Sequence, residues 1–552
     1  MLKSGAQEFR FRKTDTVGAP AAEDDAEFLK ACYVDTGDVK LLADINDIRL
    51  IVLGRTGSGK SALLKELEES MDGAVIRVSP EQLALTYVSK SSILNFFASI
   101  GVNVEPFFKL LWRHVLTVEL LAHHFRNDTS AADTPLLEKV KQRFMGTAKR
   151  DRDVQDAANY LQQWGQSFWK DTEYRVKEVT SQIESKLDAQ AKVTLGPKAA
   201  AIAGAVSAGD RFSDTERTEL VSRGQEIISG AQVQDLRKIF TMLDSVLDDR
   251  KSQYYVVIDN LDEDWVEERF RYKLIMSLIQ TARSFNDVRN AKVILALRRD
   301  LIDRVFLLAR DTGFQEEKFQ ALYLPLVWTR SQILEILDRR INHLVSRQYT
   351  KARVTHEDLM PTHFRGLPIG DYIYSIARRP RDVIAFFNTC IKAAPEEPRV
   401  DADRLTLAEG DYSRNRLRAL GEEWFADHPI LVDLAKLILA KRPSTFTIGD
   451  VGDAELEALC LQFALEHQKA AGPRHPAFDV AIGQLKASEY KPVLFQTFYH
   501  VGLIGLKLSL YDAESWADET GRSISFAEIS DDIGVVVHPA YRRALGIGDV
   551  AP

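Results

Sequence analysis

One glycine-rich segment has the residue types and the spacing of a phosphate-binding loop. It reads Gly54-Arg55-Thr56-Gly57-Ser58-Gly59-Lys60-Ser61 and fills every position of G-x-x-x-x-G-K-[ST]. Glycines let successive backbone N–H groups approach phosphate oxygens, and the helix that continues from Ala62 adds its positive dipole end. Lys60 is expected to reach the β- and γ-phosphates, and the Ser61 hydroxyl is expected to ligate Mg²⁺. These residues predict a site for a nucleoside triphosphate.

The segments around this loop alternate between strand and helix patterns. The apolar run 48–53 precedes the loop, residues 62–69 continue it as a helix, and 74–78 form a second short strand, which is the β-α-β start of a parallel sheet. Later apolar runs are continuous, as in strands covered by helices on both faces. These segments are 254–259, 291–297 and 319–324. The sequence therefore predicts an α/β fold with a parallel-sheet P-loop core.

Asp259 supplies the second half of the predicted site. It follows the first of the later strands at the carboxyl end, where open α/β sheets bind ligands, and its carboxylate is expected to hold Mg²⁺ opposite Ser61. Many ATPases with a P-loop place Glu directly after this Asp, to polarise the attacking water. This chain has Asn260 there, whose amide accepts no proton near neutral pH. Asp262 and Glu263 are the nearest substitutes. Either one of them positions water, or both are surface charges that cap the next helix.

Several arginines are candidates for contacts with the phosphates. Arg298 directly follows the next buried strand and is expected near the γ-phosphate, to sense it or to stabilise developing charge; the alternative is a salt-bridged surface arginine. Arg304 and Arg310 lie further along the same predicted helix, and either could act on a neighbouring subunit as an arginine finger. Pro380 suits the first turn of a helix. It places Arg381 near the positive end of that helix. Arg381 is then either aimed at the phosphates or a structural arginine of the predicted lid.

Composition limits the other classes of function. With 45% apolar and 28% charged residues, the 552-residue chain is typical of a globular protein with several domains. The net charge of −8 at pH 7 disfavours a surface that holds nucleic acid by charge alone. Cys32, Cys390 and Cys460 are far apart, which argues against a disulfide framework or zinc site and favours a cytoplasmic location. No apolar run approaches the roughly 20 residues of a membrane helix, so no membrane anchor is expected.

Changes in pattern divide the chain into five predicted parts. In chain order these are a loose leader (1–22), a P-loop ATPase core (23–89 and 250–325), a helical insertion into that core (90–249), a helical lid (326–427) and a winged-helix-like domain (428–552). The insertion has apolar residues at three-to-four spacing, which is typical of helices. The last part is expected to end in two strand-like segments, 524–526 and 533–537.

The assembled motifs resemble those of the additional-strand P-loop ATPases, and among them the AAA-related group with its origin-recognition-like, STAND and KAP members. The resemblance rests on Gly54–Ser61, on Asp259-Asn260-Leu261-Asp262, and on Pro380-Arg381-Asp382, which falls where this group has its sensor-2 arginine. More narrowly, the nucleotide motifs look like those of a poorly characterised prokaryotic P-loop ATPase family with a cyanobacterial prototype. The resemblance implies ATP rather than GTP, a C-terminal winged helix, and a place beside a separate effector in prokaryotic anti-phage defence.

Three functions follow from these features. The first is a molecular-switch ATPase that binds ATP and Mg²⁺ through the P-loop, Asp259 and Arg381, closes its lid, forms a homo-oligomer or recruits an effector protein, and resets by slow hydrolysis. The second is a DNA-handling ATPase such as a loader or remodeller, which stimulation of the ATPase by DNA would favour; direct DNA contact is not favoured because 428–552 has no dense basic run. The third is a nucleotide-bound pseudo-ATPase scaffold, for which Asn260 is the indication.

Overall fold

A computed structural model describes most of the chain, which divides into two compact units. The sheet unit comprises Thr36–Gly54 and Lys60–Pro325, and the helical unit comprises Met1–Asp35, Arg55–Gly59 and Leu326–Pro552. The described residues are 9–71, 73–80, 104–127, 149–164, 231–247, 253–263, 265–266, 268–309, 317–348, 353–425, 427–440, 442–466, 475–509, 512–517 and 524–547. The boundaries of the five predicted parts stay a prediction.

The helices and strands of the described residues are numbered here in chain order. The helices are α1 (Ala26–Cys32), α2 (Asp38–Ala43), α3 (Lys60–Ser70), α4 (Glu105–Asn127), α5 (Lys149–Trp164), α6 (Ala231–Val246), α7 (Glu268–Ser284), α8 (Arg299–Ala309), α9 (Glu317–Gln320), α10 (Arg330–Gln348), α11 (His356–Leu359), α12 (Ile369–Ile376), α13 (Pro380–Ala393), α14 (Ala402–Glu423), α15 (Leu431–Leu439), α16 (Asp453–Glu466), α17 (Pro476–Ala481), α18 (Ala487–His500) and α19 (Pro539–Arg542). The strands are β1 (Ile51–Leu53), β2 (Val75–Val78), β3 (Tyr254–Ile258), β4 (Ala291–Leu297), β5 (Tyr323–Pro325), β6 (His363–Phe364), β7 (Leu367–Pro368), β8 (Thr445–Thr447), β9 (Ile504–Lys507) and β10 (Gly534–Val537).

The sheet unit is built on a five-stranded parallel sheet, which confirms the predicted α/β class. The strand order is β2-β3-β4-β1-β5, with Ile51 opposite Leu295 and Val256 opposite Val293. Every residue of β1, β3 and β4 is buried, as expected for apolar strands covered on both faces. Since β4 lies between β1 and β3, the loop after β1 and the residues after β3 stand at the same carboxyl edge, one strand apart.

Helices of the predicted insertion pack onto this unit where they are described. Trp112 of α4 donates its indole N–H to Leu274 O of α7 at 2.9 Å, and the rings of Phe108 and Phe270 lie 6.1 Å apart. α6 packs against α5 in the same unit. Residues 90–103, 128–148, 165–230 and 248–249 of the predicted insertion lie outside the described residues.

Two predicted strands are wrong in part. Residues 319–324 were expected as one strand, but helix α9 ends at Gln320 and β5 begins only at Tyr323. Residues 524–526 were expected as a strand, but Phe526–Glu528 form a 3-10 helix. The cause is a capping box, in which the Ser525 backbone donates to Glu528 Oε2 at 2.8 Å and the Ser525 hydroxyl accepts from Ala527 at 3.3 Å.

The N-terminal residues of the helical unit are not loose in the part that is described. Phe11 and Val17 are fully buried in the same cluster as residues of α10, α12 and α13. The Phe11 backbone donates to Glu397 O at 2.9 Å and accepts from the Glu396 amide at 2.8 Å. The prediction of a loose leader for 1–22 is therefore wrong for residues 9–22, because two apolar side chains and backbone hydrogen bonds hold them.

The C-terminal part of the helical unit combines short helices with a three-stranded antiparallel sheet. The strand order is β8-β10-β9, and Val535 lies opposite Phe446 on one side and Leu506 on the other. β10 confirms the strand predicted at 533–537. The core of this C-terminal part includes buried side chains of helices α15, α16 and α18. Within the described ranges, no helix is both long enough and apolar enough to cross a membrane.

Candidate nucleotide site

The glycine-rich loop joins β1 to α3, as the motif requires. β1 ends at Leu53, the Gly54 amide donates to Leu297 O of β4 at 3.3 Å, and α3 begins at Lys60. Gly57 has φ +77° and Gly59 has φ +98°, a left-handed conformation that glycine adopts without steric cost. These two glycines therefore allow the sharp turn that connects β1 to α3.

Within the sheet unit, the two halves of the predicted magnesium site are in contact. The Ser61 hydroxyl donates to Asp259 Oδ2 at 3.1 Å, and the Lys60 ammonium donates to Gly54 O at 3.0 Å. Asp259 follows β3 and Ser61 lies in the first turn of α3, so the strand order brings them together. Hydroxyl and carboxylate oxygens are the hard ligands that Mg²⁺ prefers.

The charges at this site are poorly hydrated. Burial lowers the pKa of Lys60, an effect opposed by the carboxylates of Asp262 and Asp259. Burial likewise raises the pKa of Asp259, opposed by hydrogen bonds from Asn260 and Ser61. A desolvated ammonium gains most from an anion that it can contact directly, and a desolvated carboxylate gains from a cation. The groups present therefore fit a phosphate chain with a divalent cation.

The turn after β3 gives a physical reason for Asn at position 260. Asn260 has φ +60°, and its amide donates to Asp259 Oδ1 at 2.9 Å. Asn tolerates the left-handed conformation much better than Glu does. The Glu263 amide closes the turn on Asn260 O at 3.3 Å. The left-handed turn thus favours Asn at this position, and Asp262 and Glu263 are both exposed beyond it.

Arg298 is held by two carboxylates. Its guanidinium pairs with both oxygens of Asp300 at 3.1 and 2.8 Å and with Asp262 at 3.4 Å, and its side chain is 17% exposed. Sequence reasoning missed Asp300, although an acid two residues after an arginine at a helix start is a visible signal. Of the two candidate arginine fingers, Arg304 lies over the Tyr272 ring at 5.1 Å, and Arg310 lies outside the described residues.

In the helical unit, three donors from beyond Pro325 bind successive carbonyls of the loop tip. We call Trp328 Nε1, Arg379 Nη1 and the backbone N–H of Arg381 the outer donors. Their acceptors are Ser58 O at 2.7 Å, Thr56 O at 2.9 Å and Gly57 O at 3.3 Å, respectively. Neither Trp328 nor Arg379 was recognised from the sequence, because their partners are backbone atoms that no motif marks.

Arg381 also lies against the loop through its side chain. A Cβ added to Gly57 would stand 2.6 Å from Arg381 Cβ and 2.7 Å from its Cδ. α13 begins at Pro380, as predicted, so Arg381 occupies the first turn. No ion pair joins its guanidinium to another described residue. An arginine in this position has a free charge beside the phosphate loop.

A buried ion cluster fixes the start of α13. Arg379 donates to Asp382 Oδ2 at 2.7 Å, and Arg416 of α14 lies 3.4 Å from Asp382 Oδ1. Burial alone would raise the pKa of Asp382, but the two guanidinium groups outweigh it and the pKa is lowered. This cluster holds the Arg379 guanidinium in the direction of the loop carbonyl.

Arg55 connects the loop tip to the end of another helix. Its guanidinium donates to His500 O and, at 3.2 Å, to Val501 O, where α18 ends. Carbonyls at a helix C-terminus have no intrahelical partner and carry partial negative charge, so a guanidinium stabilises them. The predicted cofactor-binding residue Arg55 thus has a side-chain role within the helical unit.

Replacement of Gly57 by alanine is expected to weaken nucleotide binding by more than about tenfold, because strain at positive φ adds to a clash with Arg381. Gly73→Ala is the matched control: its φ is +78°, and a Cβ there would meet nothing within 4 Å. Both variants carry the same backbone strain. Equal losses of ATP affinity in the two variants, measured by calorimetry, would contradict the role of the Gly57–Arg381 contact.

Comparison with known proteins gives three likenesses. Residues 331–421, which span most of α10 to α14, match the family model of the FunZ-associated C-terminal helical domain. Over 551 residues the chain is 21% identical to an 80.3 kDa protein named for the transposon gamma-delta from Escherichia coli (strain K12), covering 97% of this chain and 67% of that protein. A solved Walker-type ATPase of Pyrococcus abyssi aligns with a TM-score of 0.37 and 10% identity, over 97% of this chain and all of that one. The chemistry assigned to this chain therefore depends on its own side chains.

Proposed function

We propose that this chain binds ATP with Mg²⁺ at the P-loop and hydrolyses it slowly, as a molecular-switch ATPase. The observation that supports this most is the contact of the Ser61 hydroxyl with Asp259 at 3.1 Å, next in the chain to the partly buried Lys60. A complete P-loop motif and a carboxylate at the end of a nearby strand are both needed for such a site. The strand between β1 and β3 supports the wider class of additional-strand P-loop ATPases.

The roles of the residues follow from their chemistry. Backbone amides of the loop and the first turn of α3 bind phosphate oxygens, and Lys60 neutralises their charge. Ser61 and Asp259 hold Mg²⁺, which supplies charge stabilisation for the transferred phosphoryl group. Arg381 contributes a second positive charge from α13 and responds to the γ-phosphate.

Asp262 is the better candidate for positioning water. Its carboxylate opposes the lowering of the Lys60 pKa and adds to the raising of the Asp259 pKa, so its charge acts on both groups. Its pairing with Arg298 orients the carboxylate. An exposed carboxylate two residues beyond the usual position is a less precise base, so slow turnover is expected.

A separate effector protein and a homo-oligomer are the proposed partners, in the setting of prokaryotic anti-phage defence that the family resemblance implies. The antiparallel sheet and helices α15 to α18 support a winged-helix-like domain, which would present the partner surface. The identity as a STAND, KAP or origin-recognition-like member rests on the sequence motifs of the nucleotide site.

A DNA-handling ATPase is the second candidate, and the relative named for a transposon favours it. The charge on α18 opposes direct DNA contact by that helix. Its exposed positions include Glu489 and Val493, while Lys491 is buried between Asp453 at 2.7 Å and Asp531 at 3.2 Å. DNA binding depends on exposed Lys and Arg, so a protein partner is preferred.

Single-turnover hydrolysis tests the assignment of the water-positioning residue and separates a slow ATPase from a scaffold that keeps its nucleotide. We expect Asp262→Asn to lower the rate by about 100-fold, the lower end for loss of a general base. Glu263→Gln, the matched control, should stay within about threefold, as for most surface changes. A large loss of rate in Glu263→Gln with a small loss in Asp262→Asn would assign the positioning of water to Glu263. No hydrolysis by the wild type would indicate the pseudo-ATPase.

A further inference from the structure

The loop tip has its carbonyls occupied and part of its amides available. The outer donors bind the three successive carbonyls described above. By contrast, the amides of Thr56, Gly57 and Gly59 have no hydrogen-bond acceptor among the described residues, whereas the Ser58 amide closes a turn on Arg55 O at 3.1 Å. An amide without a protein acceptor in a glycine-rich turn is suited to bind an anion.

Each outer donor fixes the direction of one amide through a rigid peptide. The C=O of one residue and the N–H of the next belong to the same planar trans unit and point in opposite directions. Arg379, bound to Thr56 O, therefore sets the Gly57 N–H. Trp328, bound to Ser58 O, sets the Gly59 N–H. These are two of the amides that have no acceptor.

Both the backbone and the indole of Trp328 are held by neighbouring residues. Tyr374 donates its hydroxyl to Trp328 O at 3.1 Å, and the ring packs beside Gly59, where an added Cβ would stand 3.4 Å from Cζ2. The ring also packs against the buried cluster of the helical unit. With a donor distance of 2.7 Å, the bond to Ser58 O has a good length for an N–H···O contact.

We propose that Trp328 is a positioning residue for nucleotide binding, whose indole N–H holds the Ser58–Gly59 peptide so that the Gly59 amide faces the phosphates. This inference rests on the proposed ATP site. Because the peptide is set before nucleotide arrives, Trp328 lowers the cost of ordering the loop. Its role is to hold the loop peptide and not to bind the nucleotide directly. Its effect falls on the phosphates that ATP and ADP share, unlike that of Arg381.

The test compares ATP and ADP affinities, measured by calorimetry on the full chain. Trp328→Phe keeps an aromatic ring, although a smaller one, and removes the N–H donor, so both dissociation constants should rise by roughly threefold to tenfold, the net worth of one hydrogen bond. The ratio of ATP to ADP affinity should stay unchanged, and kcat at saturating ATP should stay within about twofold. Arg381→Ala, as a contrast, should weaken ATP more than ADP.

Trp112→Phe is the matched control, since it removes an indole bond to a backbone carbonyl at 2.9 Å in α4. Trp112→Phe should lower the free energy of unfolding and leave the affinities for ATP and ADP unchanged. Wild-type affinities in Trp328→Phe, or an equal loss in Trp112→Phe, would overturn the positioning role while ATP binding stands. A wild type that binds neither nucleotide would overturn the proposed function, and this inference with it.

Discussion

Lys60→Ala is expected to weaken ATP binding by about 100-fold or more and to abolish measurable hydrolysis. Burial disfavours the charged form of the Lys60 side chain, and the carboxylates of Asp262 and Asp259 oppose that effect, so a phosphate chain beside it would add to the charge that stabilises the ammonium. Hydrogen bonds to charged groups contribute about 1.5–3 kcal/mol each, and contacts to two phosphates would be lost together. Calorimetry with ATP and a phosphate-release assay measure the two effects.

Lys65→Ala is the matched control for this prediction. Lys65 lies in the same helix, α3, about one turn beyond the motif. Its replacement by alanine removes the same charge as Lys60→Ala. Its affinity for ATP should stay within about twofold of the wild type, as for substitutions away from a site. If Lys60→Ala bound and turned over ATP like Lys65→Ala, the P-loop assignment would be wrong.

Asp382→Asn is expected to lower the free energy of unfolding of the helical unit by about 3–5 kcal/mol, because it leaves two buried guanidinium groups without their carboxylate. Asp382 is 7% exposed and joins Arg379 and Arg416. Urea denaturation followed by circular dichroism measures the change. The loss of Arg379 orientation should also weaken ATP binding.

Asp411→Asn is the control for the ion cluster. Asp411 pairs with Arg414 within α14, and both side chains are more than half exposed, so the expected loss is below about 1 kcal/mol. Equal effects of Asp382→Asn and Asp411→Asn would contradict the role of the buried cluster.

The lowered pKa of Asp382 also makes the stability of the helical unit depend on pH. The stabilisation by the ionised Asp382 is present above the pKa of an unfolded Asp, about 3.9, and is lost as the pH falls further through the folded pKa.

The central part of the site could be predicted from sequence because its signals are local. The loop motif, the buried strand before Asp259 and Pro380 at the start of a helix each lie within a few residues. Strand β4, which separates β1 from β3, was also visible as a continuous apolar run. The contact between Ser61 and Asp259 then follows from parallel strands that end at one edge.

The remaining contacts could not be predicted because their partners are distant backbone atoms. Trp328 binds the carbonyl of a residue 270 positions earlier, and no residue type at Ser58 marks that acceptor. The same holds for Arg55 at the end of α18. The polar composition of residues 1–22 hid the burial of Phe11 and Val17, since two apolar side chains do not form a recognisable period.

Equilibrium titration of the purified full chain with ATP, with and without Mg²⁺, tests most directly whether this chain is built around a P-loop nucleotide site. We predict saturable binding of one ATP per chain that is tighter with Mg²⁺ and is lost in Lys60→Ala. Failure of the folded wild-type chain to bind ATP, or binding that persists in Lys60→Ala, would contradict the account.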